Sequence, residues 1–156
     1  MYIIYEVPEL SPTVVSTECN VTDTLSHCGN CGKCSTVQDY NTYVDSQYTF
    51  SEIARDCAFE DFFGDSHSCF TRAGLTEECA TCWVDNVKCD RKHCVFPCLV
   101  ATVLDLDPNT GSSLSKCFAC DEYYCGKEFI GCAGMNRRRA GIETDIYRNS
   151  IEICNL

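Results

Sequence analysis

Two runs of cysteines in the second half of the chain have gaps that mirror each other. Counted backward from Cys98, gaps of four, five and seven residues lead to Cys82. Counted forward from Cys117, gaps of three, five and seven residues lead to Cys132. Positions equally far from the turn of an antiparallel helical hairpin face each other, so the gaps predict a hairpin cross-linked by disulfides. The predicted pairs are Cys98–Cys117, Cys94–Cys120, Cys89–Cys125 and Cys82–Cys132.

Helix geometry supports the outer pairs most directly. Seven residues make almost two full turns, so Cys82 and Cys89 share one stripe of a helix, as do Cys125 and Cys132. Five residues rotate the position by about 140°, so the pairs near the turn require a bend. Pro97 predicts such a bend, because its ring clashes with the carbonyl four residues earlier in a helix.

Sixteen cysteines make up about a tenth of the 156 residues, a content typical of disulfide scaffolds. The count is even, as complete pairing requires, and disulfides at this density predict an oxidising environment. Spacing does not assign the other eight cysteines. A provisional prediction pairs the 28/31/34 cluster with Cys57, Cys69 and Cys79. The remaining two, Cys19 and Cys154, would then join the two ends of the domain. The eight are Cys19, Cys28, Cys31, Cys34, Cys57, Cys69, Cys79 and Cys154.

The predicted organisation is an extended N-terminal arm over residues 1–18, with Pro8 and Pro12, followed by one helical domain over residues 19–156. The start of the chain does not have the basic and apolar regions of a signal peptide, and no apolar run is long enough to cross a bilayer. The net charge of −11 argues against nucleic-acid binding, which requires a basic surface.

Four segments of the domain carry helix signals. Residues 37–44 repeat apolar side chains at helical spacing, and Thr49 with Glu52 forms a capping-box pattern in a helix that Gly64 ends. Thr76 is the predicted N-cap of the first hairpin helix, whose Trp83 we expect in the core. The segment from residue 114 to 139 is predicted to be helical, loosened by glycines. The predicted fold class is therefore all-α and disulfide-rich.

The stretch CGNCGKC, residues 28–34, leaves three interpretations open. CxxC units can hold zinc, and CATC and CFAC offer two more of them. CGNC and CGKC also resemble redox-active pairs, although no buried strand precedes them. Structural disulfides are the interpretation we favour, since mirrored gaps have no role in a zinc site. No nucleotide-binding or hydrolase motif is present, so we expect no enzyme activity, no cofactor, no metal and no small-molecule substrate.

Two further features are candidate sites. Arg137, Arg138 and Arg139 can bind a partner's acidic patch or phosphate; the alternative is internal pairing with some of the 23 carboxylates. Asn20 begins an Asn-Val-Thr sequon, which predicts glycosylation only where the chain is secreted.

Four motifs in combination resemble an uncharacterised cysteine-rich family of algae and related protists, and of the large DNA viruses that infect them. They are CGNCGKCSTVQDYNTY, GLTEECATCW, CDEYYCG and CAGMNRRRAGI, and the likeness runs from Cys28 to Arg148. The resemblance implies no activity. Members of the family look secreted, whereas the start of this sequence does not read as a signal peptide. Either the sequence is numbered from inside a longer precursor, or the chain is oxidised without passing through the secretory route; large cytoplasmic DNA viruses carry a thiol oxidase of their own.

We therefore expect a non-enzymatic structural protein that binds other structural proteins. The expected setting is an extracellular assembly or the capsid of a large DNA virus, of which it would be a minor component. Two alternatives remain: a thiol–disulfide oxidoreductase or redox chaperone that uses Cys28, Cys31 and Cys34, and a zinc-binding interaction module.

Overall fold

The computed structural model describes residues 16–17, 27–103, 109–110 and 113–144. Within these residues two antiparallel pairs of two-residue strands accompany the helices: β1 (Ser16–Thr17) with β2 (His27–Cys28), and β3 (Asn109–Thr110) with β4 (Ser113–Leu114). A 3-10 helix spans Asp61–Phe63. The predicted all-α, disulfide-rich fold is confirmed. The α-helices of this part of the chain are α1 (Val37–Asp45), α2 (Phe50–Glu60), α3 (Ser66–Arg72), α4 (Glu77–His93), α5 (Val95–Val103), α6 (Lys116–Tyr124) and α7 (Gly126–Ala133).

The helices begin and end at residues suited to those positions. The Thr76 Oγ1 atom accepts a hydrogen bond from the backbone N–H of Cys79 at 3.2 Å, as predicted for the N-cap of α4. Gly64 ends the 3-10 helix with φ of 77°, a backbone conformation that favours glycine. Thr49 is the N-cap of α2, but its side chain caps no backbone N–H of that helix. The predicted capping box is therefore wrong, and the Thr49 hydroxyl donates instead to the Ser46 carbonyl at 3.4 Å.

A buried carboxylate ties the start of α1 to the start of α4. Asp39 is fully buried, and its Oδ1 atom accepts a hydrogen bond from the backbone N–H of Thr76 at 2.8 Å. Its Oδ2 atom accepts from the Thr76 hydroxyl at 3.0 Å and also from the Thr36 hydroxyl. These bonds satisfy a carboxylate that would otherwise be costly to bury.

Aromatic side chains fill the space between α1, α2, α3, α7 and the first half of α4. Trp83 lies at the centre, with its ring centroid 4.9 Å from that of Phe50, 5.6 Å from Phe70 and 4.6 Å from Phe129. The Trp83 indole N–H donates to the buried Tyr43 hydroxyl at 2.9 Å. Trp83 therefore packs in the core, as the sequence predicts, with its polar atom paired.

The rest of the domain is a helical hairpin with a break in each side. Helices α4 and α5 form one side and break at Cys94, while α6 and α7 form the other and break at Cys125. The first break lies where Pro97 predicts it, because the carbonyl four residues before Pro97 belongs to His93, the last residue of α4. The segment predicted to be helical from residue 114 to 139 forms two helices, which meet at Cys125 beside Gly126. The prediction is wrong for residues 134–139, since α7 ends at Ala133.

Candidate functional site: a disulfide ladder with an apolar tip

Four disulfides cross-link the two sides of the hairpin, and they are the four pairs predicted from the mirrored gaps. We call this set of disulfides the ladder. The Cα–Cα distances are 5.7 Å for Cys82–Cys132, 5.9 Å for Cys89–Cys125, 5.8 Å for Cys94–Cys120 and 4.5 Å for Cys98–Cys117.

The breaks at Cys94 and Cys125 explain how gaps of five residues fit the ladder. Cys94 has φ of −118° and ψ of 9°, and Cys125 has φ of −116° and ψ of −27°. Both departures from regular helix occur at the cysteine that ends a five-residue gap, which a straight helix would turn away from the seam. Each break therefore turns that cysteine back toward the facing helix.

Two more described disulfides lie outside the ladder. Cys34 joins Cys79 with a Cα–Cα distance of 4.6 Å, and Cys57 joins Cys69 at 5.3 Å. The prediction that the 28/31/34 cluster pairs with the three later cysteines is right for Cys34–Cys79 and wrong for the other two. Cys57 and Cys69 pair with each other because α2 packs directly against α3.

Cys31 is disulfide-bonded as well, and no cysteine within the described residues is free. The predicted clasp between Cys19 and Cys154 lies outside the described residues, as does the sequon at Asn20.

Glycine backbones allow the CGNCGKC stretch to lie against the end of α7. The N–H of Lys33 donates to the Cys132 carbonyl at 2.9 Å, and the N–H of Cys34 donates to the Ala133 carbonyl at 2.9 Å. A Cβ atom on Gly32 would lie 2.5 Å from the backbone nitrogen of Gly134. The glycine between the second and third cysteine is thus required by a close backbone approach.

The pairing decides what chemistry the CxxC units can perform while the disulfides are intact. Cys34 is fully buried and bound to Cys79, so CGKC does not form a disulfide within itself. The sulfurs of CATC and CFAC are each bound to a cysteine of another segment, and a sulfur held in a disulfide is not a thiolate ligand. The arrangement favours a structural role for these cysteines.

A pair of carboxyl groups lies beside the ladder, and the sequence analysis did not single it out. Ligand atoms of Asp90, Asp121 and Cys125 lie within 4.8 Å of one another, but the Cys125 sulfur is bound to Cys89. Burial and the neighbouring Asp121 raise the pKa of Asp90 to about 8, while the Asn86 side-chain amide donates to Asp121 at 2.9 Å. Burial and the closeness of the two carboxyl groups therefore favour one proton held by the Asp90–Asp121 pair at neutral pH.

The sequence carried one signal for this pair. Asp90 directly follows Cys89, and Asp121 directly follows Cys120, so both positions border the predicted seam between the helices.

The three consecutive arginines contact the rest of the domain. The Arg137 guanidinium lies 4.8 Å from the centre of the Phe50 ring, and Arg138 lies 3.5 Å from a carboxylate oxygen of Glu122, with both side chains mostly buried. The backbone N–H of Arg139 donates to the Asn136 side chain at 2.9 Å. These contacts favour internal pairing with a carboxylate for Arg138 and packing against an aromatic ring for Arg137, and a partner-binding role of the three arginines stays a prediction.

The end of the hairpin presents apolar side chains to solvent. On α5, Phe96 is 76% exposed and Leu99 is 53% exposed, and Val95 and Val100 are exposed beside them. We call these four side chains the tip face. The four positions follow the spacing i, i+1, i+4 and i+5 and share one side of the helix, whereas Cys98 faces α6 through its disulfide.

None of the helices in the described part of the chain combines the length and the apolar character needed to span a membrane.

Comparison with known proteins finds one family. A model described as a family of unknown function (DUF8771) matches residues 63–156, more than half of the chain. The matched region contains all eight ladder cysteines, α4 to α7 and the three arginines. Searches of curated proteins and of solved structures found no match.

Proposed function

We propose that this chain, which belongs to the family of unknown function DUF8771, is a rigid, non-enzymatic module that binds other proteins in an assembly. One observation carries the proposal: the ladder holds α5 in place while the tip face is left exposed. A helix that is apolar on all sides is normally buried, and contiguous exposed apolar surface marks an interaction site.

The cross-links suit a scaffold because they resist local opening. Four disulfides join helices that are already packed together, so each added disulfide closes only a short loop and contributes less than an isolated one. Their combined effect is to keep the hairpin closed along its whole length. A surface held this firmly loses little conformational entropy when a partner binds.

The proposed setting is an oxidising one, since six described disulfides require it. Two such settings suit the chain: an assembly of secreted proteins, and the shell of a large DNA virus with its own thiol oxidase. The resemblance of CGNCGKCSTVQDYNTY and the other three motifs to proteins of algae and their viruses supports the second. In either setting, residues 1–18 would lie on a neighbouring protein.

Three measurements on oxidised, full-length protein test the absence of redox and metal chemistry. We expect no thiols that react with a chromogenic reagent under denaturing conditions, no zinc by elemental analysis, and no reduction of insulin disulfides above the uncatalysed rate. The Cys31→Ser variant should match the wild-type protein in the insulin assay. Turnover that is lost in Cys31→Ser would establish the oxidoreductase alternative, and stoichiometric zinc with free thiols would establish the zinc module.

A further inference from the structure

We propose that a cleft between α3 and α4 binds a neutral sugar, either free or as one unit of a glycan. The inference goes beyond the proposed protein-binding function, and it depends on a different surface from the tip face. It assigns the domain a second kind of ligand, recognised by hydrogen bonds.

The cleft opens where the 3-10 helix and the start of α3 pack against the middle of α4. Its volume is about 360 Å³, which lies at the small end of the range of small-molecule sites and suits one or two sugar rings. We call it the α3–α4 cleft. The side chains that line it include Asp61, Ser66, Thr81, Val84, Asp85 and Lys88.

Two buried polar atoms of the α3–α4 cleft make no hydrogen bond within the described part of the chain. They are Ser66 Oγ and Asp61 Oδ2. Ser66 is 2% exposed, and the Asp61 side chain is 9% exposed. Buried polar atoms are ordinarily hydrogen-bonded, because an unpaired one loses its contacts with water and gains nothing in return. Both residues line the cleft, so a molecule inside it can supply the two missing partners.

The charged groups beside these atoms are balanced. The Arg91 guanidinium lies 2.8 Å from Asp61 Oδ2, in an orientation that makes no hydrogen bond. Lys88 lies 3.9 Å from a carboxylate oxygen of Asp85. A cationic ligand at Asp61 would be repelled by Arg91, and an anionic ligand at Lys88 would be repelled by Asp85. The balance favours a ligand without charge.

The lining requires a ligand that both donates and accepts hydrogen bonds. The carboxylates of Asp61 and Asp85 accept, whereas the Lys88 ammonium only donates. The Thr81 hydroxyl donates to a backbone carbonyl of its own helix at 2.9 Å, so its oxygen is left to accept. A hydroxyl group donates and accepts through one atom, and a sugar ring carries several of them. Val84 offers the C–H face of such a ring an apolar contact.

Disulfides hold both walls of the α3–α4 cleft in place. Cys69 of α3 is bonded to Cys57 of α2, and Cys82 of α4 is bonded to Cys132 of α7. Walls fixed in this way lose little conformational entropy when a ligand binds. The cleft is therefore built for binding before the ligand arrives.

Saturation-transfer difference NMR on the oxidised, full-length protein tests the proposal. The probes are the methyl glycosides of glucose, galactose, mannose, fucose, xylose and N-acetylglucosamine at millimolar concentration. At least one should bind saturably, with an affinity that changes less than about twofold between roughly 0.05 and 0.5 M salt, because the ligand carries no charge. Inorganic phosphate, methylamine and N-methylacetamide, which represent an anion, a cation and an amide, should not compete with it.

Ser66→Ala separates a ligand contact from a structural role. The lost hydroxyl has no partner in the described part of the chain, so the free energy of unfolding should stay unchanged or rise, while the affinity for the glycoside falls at least about tenfold. Thr81→Val keeps the shape of the side chain and should weaken binding as well. Ser68→Ala is the matched control, since Ser68 is exposed on the same helix and does not line the cleft.

Four results would overturn the proposal. If no glycoside binds, water alone satisfies the two buried atoms. Binding that is unchanged in Ser66→Ala would place the sugar elsewhere, and competition by phosphate, methylamine or N-methylacetamide would assign a different class of ligand. A Ser66→Ala variant that is clearly destabilised would show that the hydroxyl has an internal partner. Each result would leave the proposed protein-binding function standing, because that function depends on the tip face.

Discussion

Single residues determine how the CGNCGKC stretch joins the hairpin. At Gly32 and Gly134 the two backbones approach more closely than any Cβ atom would allow, and two backbone hydrogen bonds follow from that approach. The spacing of the cysteines shows that this stretch is a cross-linking loop. It does not show which part of the chain the loop contacts, because that contact uses backbone atoms that leave no side-chain pattern.

Gly32→Ala should lower the free energy of unfolding by about 2–3 kcal/mol, because the added methyl group forces the two backbones apart. The measurement is guanidinium unfolding of the oxidised protein. Gly131→Ala is the matched control: an added Cβ there has no atom within 4 Å, and alanine is favoured over glycine in a helix by about 1 kcal/mol. The control should be neutral or stabilising, and equal losses in both variants would contradict the close approach.

Asp90 should make stability depend on pH. Its pKa of about 8 in the folded chain exceeds the value of about 3.9 for an unfolded aspartate, so the folded state binds the proton more tightly. The stabilisation is complete below about pH 4, decreases as the pH rises, and is lost above about pH 8. Through this one group, the free energy of unfolding cannot change by more than about 1.4 kcal/mol per pH unit.

Asp90→Asn should flatten this dependence, since the amide stays neutral at every pH and can still donate to Asp121. Unfolding midpoints at pH 5 and pH 8 provide the measurement. Asp85→Asn, on the same helix with its side chain 65% exposed, should keep the wild-type slope. The shared proton would be refuted by an Asp90→Asn variant whose stability falls with pH as steeply as that of the wild-type protein.

The positions of the helices, and of the breaks between them, explain which ladder cysteines face each other. The mirrored gaps predict which cysteines face each other, and Pro97 predicts the first break, because both depend on local geometry. The second break, at Cys125, was missed: no proline marks it, and Gly126 alone does not distinguish a break from a loosened helix. The Cys57–Cys69 pair was missed because it depends on how α2 packs against α3.

Removal of the outermost ladder disulfide should affect only one end of the hairpin. Cys82→Ala/Cys132→Ala is expected to cost about 3 kcal/mol and to raise hydrogen exchange in α7 and the first half of α4, while α5 and α6 stay protected. Cys57→Ala/Cys69→Ala is the matched control. The Cys57–Cys69 disulfide joins residues 12 apart, and the outermost ladder disulfide closes a loop of similar size, with seven residues on each side up to the intact Cys89–Cys125 disulfide. The control should raise exchange in α2 and α3 instead. Uniformly raised exchange in both variants would show that the ladder does not confine local opening.

The whole molecule combines a part that the sequence predicts well with a surface that it predicts poorly. Fold class, hairpin and ladder follow from cysteine spacing. The apolar residues of α5 are visible in the sequence, but their exposure is not, because a run such as VFPCLVATV reads equally well as a buried helix. The proposed function depends on that exposed surface.

Non-reducing peptide mapping of native protein, with trypsin followed by an aspartate-specific protease, tests the ladder most directly. The tryptic peptide spanning residues 73–88 contains Cys79 and Cys82. It should be recovered joined to the peptide with Cys132 and to the one with Cys34. The peptides that carry Cys79 and Cys82, Cys94 and Cys98, and Cys117 and Cys120 each keep two cysteines after both digestions, so electron-transfer fragmentation of the linked peptides assigns the individual bonds. It should join Cys82 to Cys132 and Cys98 to Cys117. Free thiols at these positions, or Cys82 joined to any cysteine other than Cys132, would contradict a hairpin held together by its mirrored disulfides.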